Sequence, residues 1–227
     1  PHVAWDNAHF GWGFMECGKI TDDQGEKRPY ALNFDVLAHE TGHGIVFSLV
    51  GVPTPETLTT AYRGFHESAS DCVAMLSVLH FESFVDHVLR VTDGDLYKAN
   101  ELNRIGELSA TRQIRSASNA LKMADVVSLD TPAAELTGKQ AHTLGQPLTG
   151  AIFDIIVDLY LDRLVSFGLV GAELASTLRR AAQTDDLDAA DDQALIDAYR
   201  SEPEGFRDAL RDARDMVGLR LAATFHR

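Results

Sequence analysis

The sequence predicts an α+β chain that is predominantly α, with a short N-terminal β segment followed by an almost wholly helical remainder. Three observations predict it. Residues 1 to 33 are rich in glycine and aromatic residues and carry strand-like pieces, "HVAW" and "GWGFMECG". From residue 34 onward apolar residues recur at helical spacing in nearly every segment. And 227 residues with 45% hydrophobic content are enough to bury a sizeable core in one or two domains.

Taken in order, the strand-like pieces end at a charged turn, "TDDQGEKRP". A helix is expected over residues 35 to 50, with Asp35 as its N-cap and "GVPTP" stopping it. A second helix is expected from about Gly64 to Ser83, where Phe65, Ala69, Cys72, Val73, Leu76 and Leu79 make an apolar stripe. The stretch 93 to 145 reads as helical pieces between loops. A long apolar helix, "LTGAIFDIIVDLYLDRLVSFG", is expected to follow Pro147, and three amphipathic helices near 171–183, 190–200 and 204–218 close the chain. Neither an internal repeat nor a low-complexity segment is evident.

Composition excludes some functions. A formal charge of −14 leaves no basic face to offset phosphate repulsion, so a nucleic-acid partner is not expected. No apolar run approaches the roughly 20 residues that span a bilayer, so no membrane partner is expected. The opening "PHVAWDNAHFGWG" has neither an initiator methionine nor a basic-then-apolar leader. It reads as a processed form or a piece of something longer. Two cysteines, Cys17 and Cys72, do not make a disulfide framework and leave the redox compartment open.

The chemistry concentrates in "LNFDVLAHETGHGIVFSLVG". His39 and His43 stand at i and i+4, one above the other on a helix face, and so aim ring nitrogens at a common point. Zinc takes such nitrogens at roughly 2.0–2.1 Å in a tetrahedral set. Glu40 is rotated by about 100° from His39, out of the ligand direction but within reach of a water on the metal. Taken alone, the five residues also fit two solvated histidines on a helix face. The next helix opens "YRGFHESASDCVAML", with Glu67 and Asp71 on one face. Glu67 completes two histidines and a glutamate and leaves a fourth position open, the arrangement of catalytic zinc. Asp71 is then placed to accept the other ring N–H of a liganding histidine and fix its tautomer.

These residues carry a family resemblance. "DVLAHETGH" resembles the active-site helix of the thermolysin-like neutral metallopeptidases, and "HESASD" their third-ligand helix. "IRSASNA", with Arg115, resembles their loop bearing a substrate-binding arginine, and "AHTLGQPLTGAIF", with His142, the segment of their second catalytic histidine. A weaker match, "DNAHF", likens Asn7 and Ala8 to an edge strand that holds the substrate backbone. The matches keep the family's order over roughly residues 3 to 165. The resemblance implies a fold of the thermolysin type in two parts. Residues 1–50 would be a truncated N-terminal β segment plus active-site helix, and residues 51–227 a helical C-terminal domain. It implies one zinc per chain held by His39, His43 and Glu67. Glu40 would be general base on a zinc-activated water, His142 a donor to the developing oxyanion, and Arg115 a hold on a substrate carbonyl. Val36 and Ile114 would line the pocket for the side chain that follows the cleaved bond, and would favour an apolar residue there.

The sequence also departs from the family. His66 stands where the family has an asparagine. Thr137 takes the place of the aspartate that pairs with the second histidine, and the oxyanion-binding tyrosine is matched only by Tyr62. Val78 replaces a carboxylate of the paired calcium site to which Asp35 would contribute, so calcium is not expected there. Only 38 residues precede His39, so most of the family's N-terminal half is missing. Two function classes follow: a zinc endopeptidase acting on peptide or protein substrates, or a non-catalytic zinc-holding interaction module derived from that fold. A missing N-terminal segment or a propeptide is a further candidate partner. Secretion is what the resemblance implies, while the residues themselves leave the compartment open.

Overall fold

Trp12 and Gly13 both adopt positive φ, 55° and 83°, which a two-residue turn between antiparallel strands demands. They close the hairpin of β1 (Ala8–Gly11) and β2 (Phe14–Cys17), with Ala8 opposite Cys17 and Gly11 opposite Phe14. A second hairpin pairs β3 (Lys19–Thr21) with β4 (Lys27–Pro29). The structure, a computed structural model, describes residues 7–21, 25–105, 115–126, 135, 137–184 and 187–225. The expected strand "HVAW" lies outside the described residues.

α1 (Phe34–Val50) follows at once. Its N-cap is Asn33 and not Asp35: the Asn33 side chain accepts from the Val36 N–H at 3.2 Å, while Asp35 sits in the first turn. Both residue types cap helices well. The extended backbone at Asn33 lets its side chain fold back, and a carboxylate one turn in is favoured by the helix dipole. The helix stops at Gly51, whose φ of 84° suits glycine.

α2 (Thr60–Val78) begins and ends earlier than its apolar stripe suggests, and a separate α3 (Glu82–Thr92) follows it. The break at residues 79–81 contains no glycine, proline or side-chain cap, so composition gives no sign of it. β5 (Arg104–Ile105) pairs with β6 (Arg115–Ser116). α4 (Gly138–Ser166) runs through Pro147, where a start after that residue was expected. Its start is a capping box: Thr137 Oγ1 accepts from Gln140 N–H at 3.2 Å, and Gln140 Oε1 accepts from Thr137 N–H at 2.9 Å. Pro147 removes one helical hydrogen bond, a loss that buried apolar residues on both sides, Ala141, Leu144, Phe153 and Ile156, offset. α5 (Ala172–Thr184), α6 (Ala189–Ser201) and α7 (Pro203–Phe225) close the chain. Asp188 caps α6, accepting from the N–H groups of Ala190 and Asp191.

The chain is therefore mainly helical with a short N-terminal β segment. It divides into two compact units, Pro1–Val78 with Arg104–Ala151, and Leu79–Asn103 with Ile152–Arg227. Residue 50, where a boundary was expected, lies inside the first unit because α1 and α2 pack directly on each other. That unit holds β1–β6, α1, α2 and the first half of α4. Ala8, Ile20, Tyr30 and Val36 form a small apolar cluster between its strands and α1. In the second unit Phe153, Ile156, Tyr160, Leu195, Phe206 and Leu210 are almost wholly buried, and the Tyr160 hydroxyl donates to the Gly94 carbonyl at 2.9 Å. No single helix among the described residues is long and apolar enough to cross a membrane.

Candidate metal centre

Two close approaches build the site. A Cβ added to Gly42 on α1 would lie 2.7 Å from Ser70 Cα on α2, so the helices touch backbone to backbone there. On α4, a Cβ at Gly145 would lie 2.9 Å from the Gly64 carbonyl oxygen and 3.1 Å from the Ser68 nitrogen. Small residues at these crossings draw three helices together, and the side chains beside them meet. His39 and His43 come from α1, Glu67 and Asp71 from α2, and His142 from α4.

His39 Nε2 lies 3.3 Å from Glu67 Oε2, and His43 Nε2 lies 3.7 Å from the same oxygen. The two imidazoles stand edge-on, with ring centroids 4.7 Å apart. Donors bound tetrahedrally at roughly 2.0–2.1 Å are separated by about 3.3–3.4 Å. The His39–Glu67 separation matches that spacing, and the His43–Glu67 separation is a few tenths of an ångström longer.

The far sides of the rings set the tautomers. His39 Nδ1 is 2.8 Å from Asp71 Oδ1, so its proton goes to the carboxylate and Nε2 keeps a lone pair. Asp71 is 1% exposed, and its other oxygen accepts from Thr149 Oγ1 at 3.3 Å. His43 Nδ1 lies 2.6 Å from His66 Nδ1 and 2.9 Å from Ser70 Oγ. The Ser70 hydroxyl donates to the His66 carbonyl, so its oxygen is left to accept from His43. Both Nε2 atoms thus face Glu67 Oε2, which also lies 2.7 Å from His142 Nδ1.

Charge points the same way. Glu40 and Asp71, both buried, and the partly buried Glu67 bring three carboxyl groups into one cluster. Burial holds the His43 imidazole down to about 3 and lowers His66 as well, so neither ring supplies a balancing positive charge near neutrality. For Glu67 burial acts upward, but His142 and His39 outweigh it and hold the carboxyl well below the usual range. Carboxylates gathered beside imidazoles that stay neutral suit a divalent cation. Two groups of donor atoms lie within 4.8 Å of one another and could hold an ion: His39 with Glu67 and His142, and His39 with Glu40 and His43. The donor set of imidazole nitrogen and carboxylate oxygen fits zinc.

Glu40 is 7% exposed and lies beside His39 and His43. Burial pushes its carboxyl up, opposed by His39 and by an N–H bond from Phe10. Its Oε2 is buried with no hydrogen-bond partner among the described residues. His142 places Nδ1 2.7 Å from Glu67 Oε2. Thr137, five residues earlier, is taken up as the cap of α4.

A cleft of about 520 Å³ opens over these groups, lined by Asn7, Ala8, Val36 and Tyr62 as well as by His39, Glu40, His43, Glu67 and His142. The Asn7 side chain accepts from the Ala8 N–H at 2.9 Å, and the Tyr62 hydroxyl donates to the Gly51 carbonyl at 3.3 Å. Arg115 has its backbone in β6, opposite Ile105; its side chain, like the whole of Ile114, lies outside what is described. Asp35 also lines the cleft, whereas Val78 is buried. Both thiols are pushed up by burial, Cys72 to about 12, which leaves it an unreactive neighbour of Asp71.

Sequence reasoning missed Ser70 and Thr149 and read His66 only as a departure. The i, i+4 spacing of His66 and Ser70, running beside that of Glu67 and Asp71, carried the signal for those two. Thr149 is far away in sequence and carried none. No family model, no curated protein and no solved structure matches this chain.

Proposed function

We propose that this protein is a zinc-dependent endopeptidase of the thermolysin-like type, with one zinc per chain held by His39, His43 and Glu67. The observation that carries this reading is the convergence of His39 and His43 Nε2 on Glu67 Oε2, each ring fixed from behind, with Glu40 beside them, its Oε2 without a hydrogen-bond partner among the described residues. No calcium is expected at the site resembling the family's pair.

Zinc, when bound, acidifies water and polarises a carbonyl. The chain supplies the rest. Glu40 takes the proton of the attacking water and returns it to the leaving amine; burial, which pushes its carboxyl up, brings it closer to the acid–base range needed for both transfers. Asp71 holds His39, and His66 with Ser70 holds His43, so the ligands do not reorient as charge develops. His142, on the α4 side of the cleft, donates to the oxygen that becomes negative. The edge of β1 away from β2, beside Asn7 and Ala8, is where an extended peptide would lie, and Arg115 binds a substrate carbonyl.

A second reading has one observation in its favour. His142 is close enough to Glu67 and His39 to act as a further donor. Four protein ligands would leave no open position, which suits a zinc-holding interaction module. One experiment separates the two. The zinc-loaded protein, with any preceding segment restored, is assayed on casein and on a blocked apolar peptide before and after chelation. Hydrolysis that stops on chelation and returns with zinc, together with loss of zinc and activity in His39→Ala, supports the peptidase. Zinc bound at one per chain with no hydrolysis supports the module.

A further inference from the structure

α4 presents one face to α2. Counted from His142, Gly145 and Thr149 stand at i+3 and i+7, so all three fall on the same side of the helix. Each meets a different part of α2. His142 Nδ1 lies 2.7 Å from Glu67 Oε2, and the Gly145 position abuts Gly64 and Ser68. Two turns after His142, Thr149 Oγ1 lies 3.3 Å from both Asp71 Oδ2 and Ser68 Oγ.

Thr149 directs its hydroxyl differently from four other helical threonines. Thr41, Thr92, Thr184 and Thr224 each turn the hydroxyl back to the carbonyl four residues earlier, the local bond that a threonine inside a helix readily makes. The Thr149 hydroxyl instead crosses to α2. Thr149, Ser68 and Asp71 are all but wholly buried, so this crossing is sheltered from water.

One hydroxyl proton faces two oxygens, and the 3.3 Å distances are those of a proton shared between them. The carboxylate is the stronger acceptor because it carries charge. What the proton does there follows from how an aspartate turns. Its terminal torsion is broad, so the bond between Oδ1 and His39 Nδ1, at 2.8 Å, does not by itself fix the plane of the group. A donor on Oδ2 fixes it.

We infer that Thr149 is a positioning residue of the metal centre. Its hydroxyl holds Asp71 Oδ2, which keeps Oδ1 directed at the His39 Nδ1–H and His39 Nε2 directed at the ion. The contacts run from Thr149 to Asp71 to His39, and so tie α4 to a ligand on α1 by way of α2. The inference rests on the zinc reading for the ion, while the His39–Asp71 bond on which it acts is tested without metal.

Two substitutions separate positioning from packing. Thr149→Val keeps the shape and removes the hydroxyl, whereas Thr149→Ser keeps the hydroxyl and removes a buried methyl group. Packing alone makes serine the worse variant, and positioning makes valine the worse. In the metal-free protein, nitrogen-15 NMR measures how fast the His39 Nδ1 proton exchanges with water. Thr149→Val is expected to speed that exchange at least tenfold, and Thr149→Ser less than threefold. In the zinc-loaded protein, competition with a chromogenic chelator is expected to show zinc bound about 3–10-fold more weakly by Thr149→Val, short of the roughly 10–100-fold that losing a ligand's own partner costs. Thr149→Ser is expected to hold zinc within twofold of the unaltered protein. If the valine variant does not fold, Thr149→Ala carries the test, since it differs from Thr149→Ser by the hydroxyl alone. Either readout unchanged in the variant lacking the hydroxyl, or serine the more damaging of the two, would overturn the assignment. An unaltered protein that binds no zinc counts against the zinc reading instead, and the exchange rates still decide the role of Thr149.

Discussion

Replacing Gly42 by alanine tests whether the contact between α1 and α2 sets the metal geometry. The new Cβ would stand 2.7 Å from Ser70 Cα, 3.1 Å from its Cβ and 3.2 Å from its carbonyl oxygen. Carbon atoms pack at about 3.5–4.0 Å, so the helices must part by about 1 Å. Overpacking of this kind costs about 1–3 kcal/mol, against a gain of about 1 kcal/mol from alanine's helix propensity. Metal-free Gly42→Ala is therefore expected to lose about 0–2 kcal/mol. The effect on the ion is larger. His39 and His43 move with α1 and Glu67 with α2, so separations of 3.3 and 3.7 Å grow toward about 4.3 and 4.7 Å. Two zinc–donor bonds of about 2.1 Å span only about 4.2 Å even in a straight line. Zinc affinity should fall by at least about 100-fold, on the scale by which displaced ligands weaken a site. The assay is competition with a chromogenic chelator, paired with urea unfolding of the metal-free protein. Gly218→Ala in α7 is the control, because nothing lies within 4 Å of its new Cβ. It should gain up to about 1 kcal/mol with zinc affinity unchanged. If Gly42→Ala is stabilised like the control and holds zinc as tightly as the unaltered protein, the close approach does not set the site.

Asp71→Asn should keep one zinc per chain but weaken it about 10–100-fold, since an amide no longer draws the His39 proton away from the metal-facing nitrogen; unchanged affinity in the same competition assay would contradict this. Acidification should destabilise the metal-free protein. Burial, helped by His39, His66 and His142 and opposed by Glu67, holds native His43 unprotonated until about pH 3, whereas the unfolded ring takes its proton near 6.5. Between these values the unfolded state binds the extra proton, so stability falls as pH drops, by at most about 1.4 kcal/mol per pH unit for this group. Urea unfolding at pH 7.5 and 5.0 measures it, and equal or greater stability at pH 5.0 would refute the sign.

What the sequence made legible follows the range of the physics. The i, i+4 pairs on α1 and α2 are local, so His39 with His43 and Glu67 with Asp71 could be read as faces before any fold was known. That the two faces meet depends on Gly42 and Ser70, 28 residues apart in the chain, and on Gly145 against Gly64. A glycine in a helix gives no sign of what it will touch. The N-cap was misread because Asn33 and Asp35 are both good caps, and backbone conformation chose between them. The separation of α3 from α2 was hidden because the break at residues 79–81 has no breaker residue. Pro147 misled in the opposite direction: a strong signal for a helix boundary was overridden by burial on both sides of it.

The central claim is that Glu40 transfers the proton in a zinc-dependent hydrolysis. The measurement that tests it most directly is the rate at which zinc-loaded Glu40→Gln cleaves a blocked peptide with apolar residues around the bond, relative to the unaltered protein, with zinc content determined on the same samples. The amide keeps the shape of the carboxylate but cannot accept and return a proton. A group acting as both base and acid should be worth at least about 10⁴-fold. The account predicts a loss of that size with one zinc per chain retained. Equal cleavage by the two proteins, or no cleavage by the unaltered protein at full zinc occupancy, would contradict it.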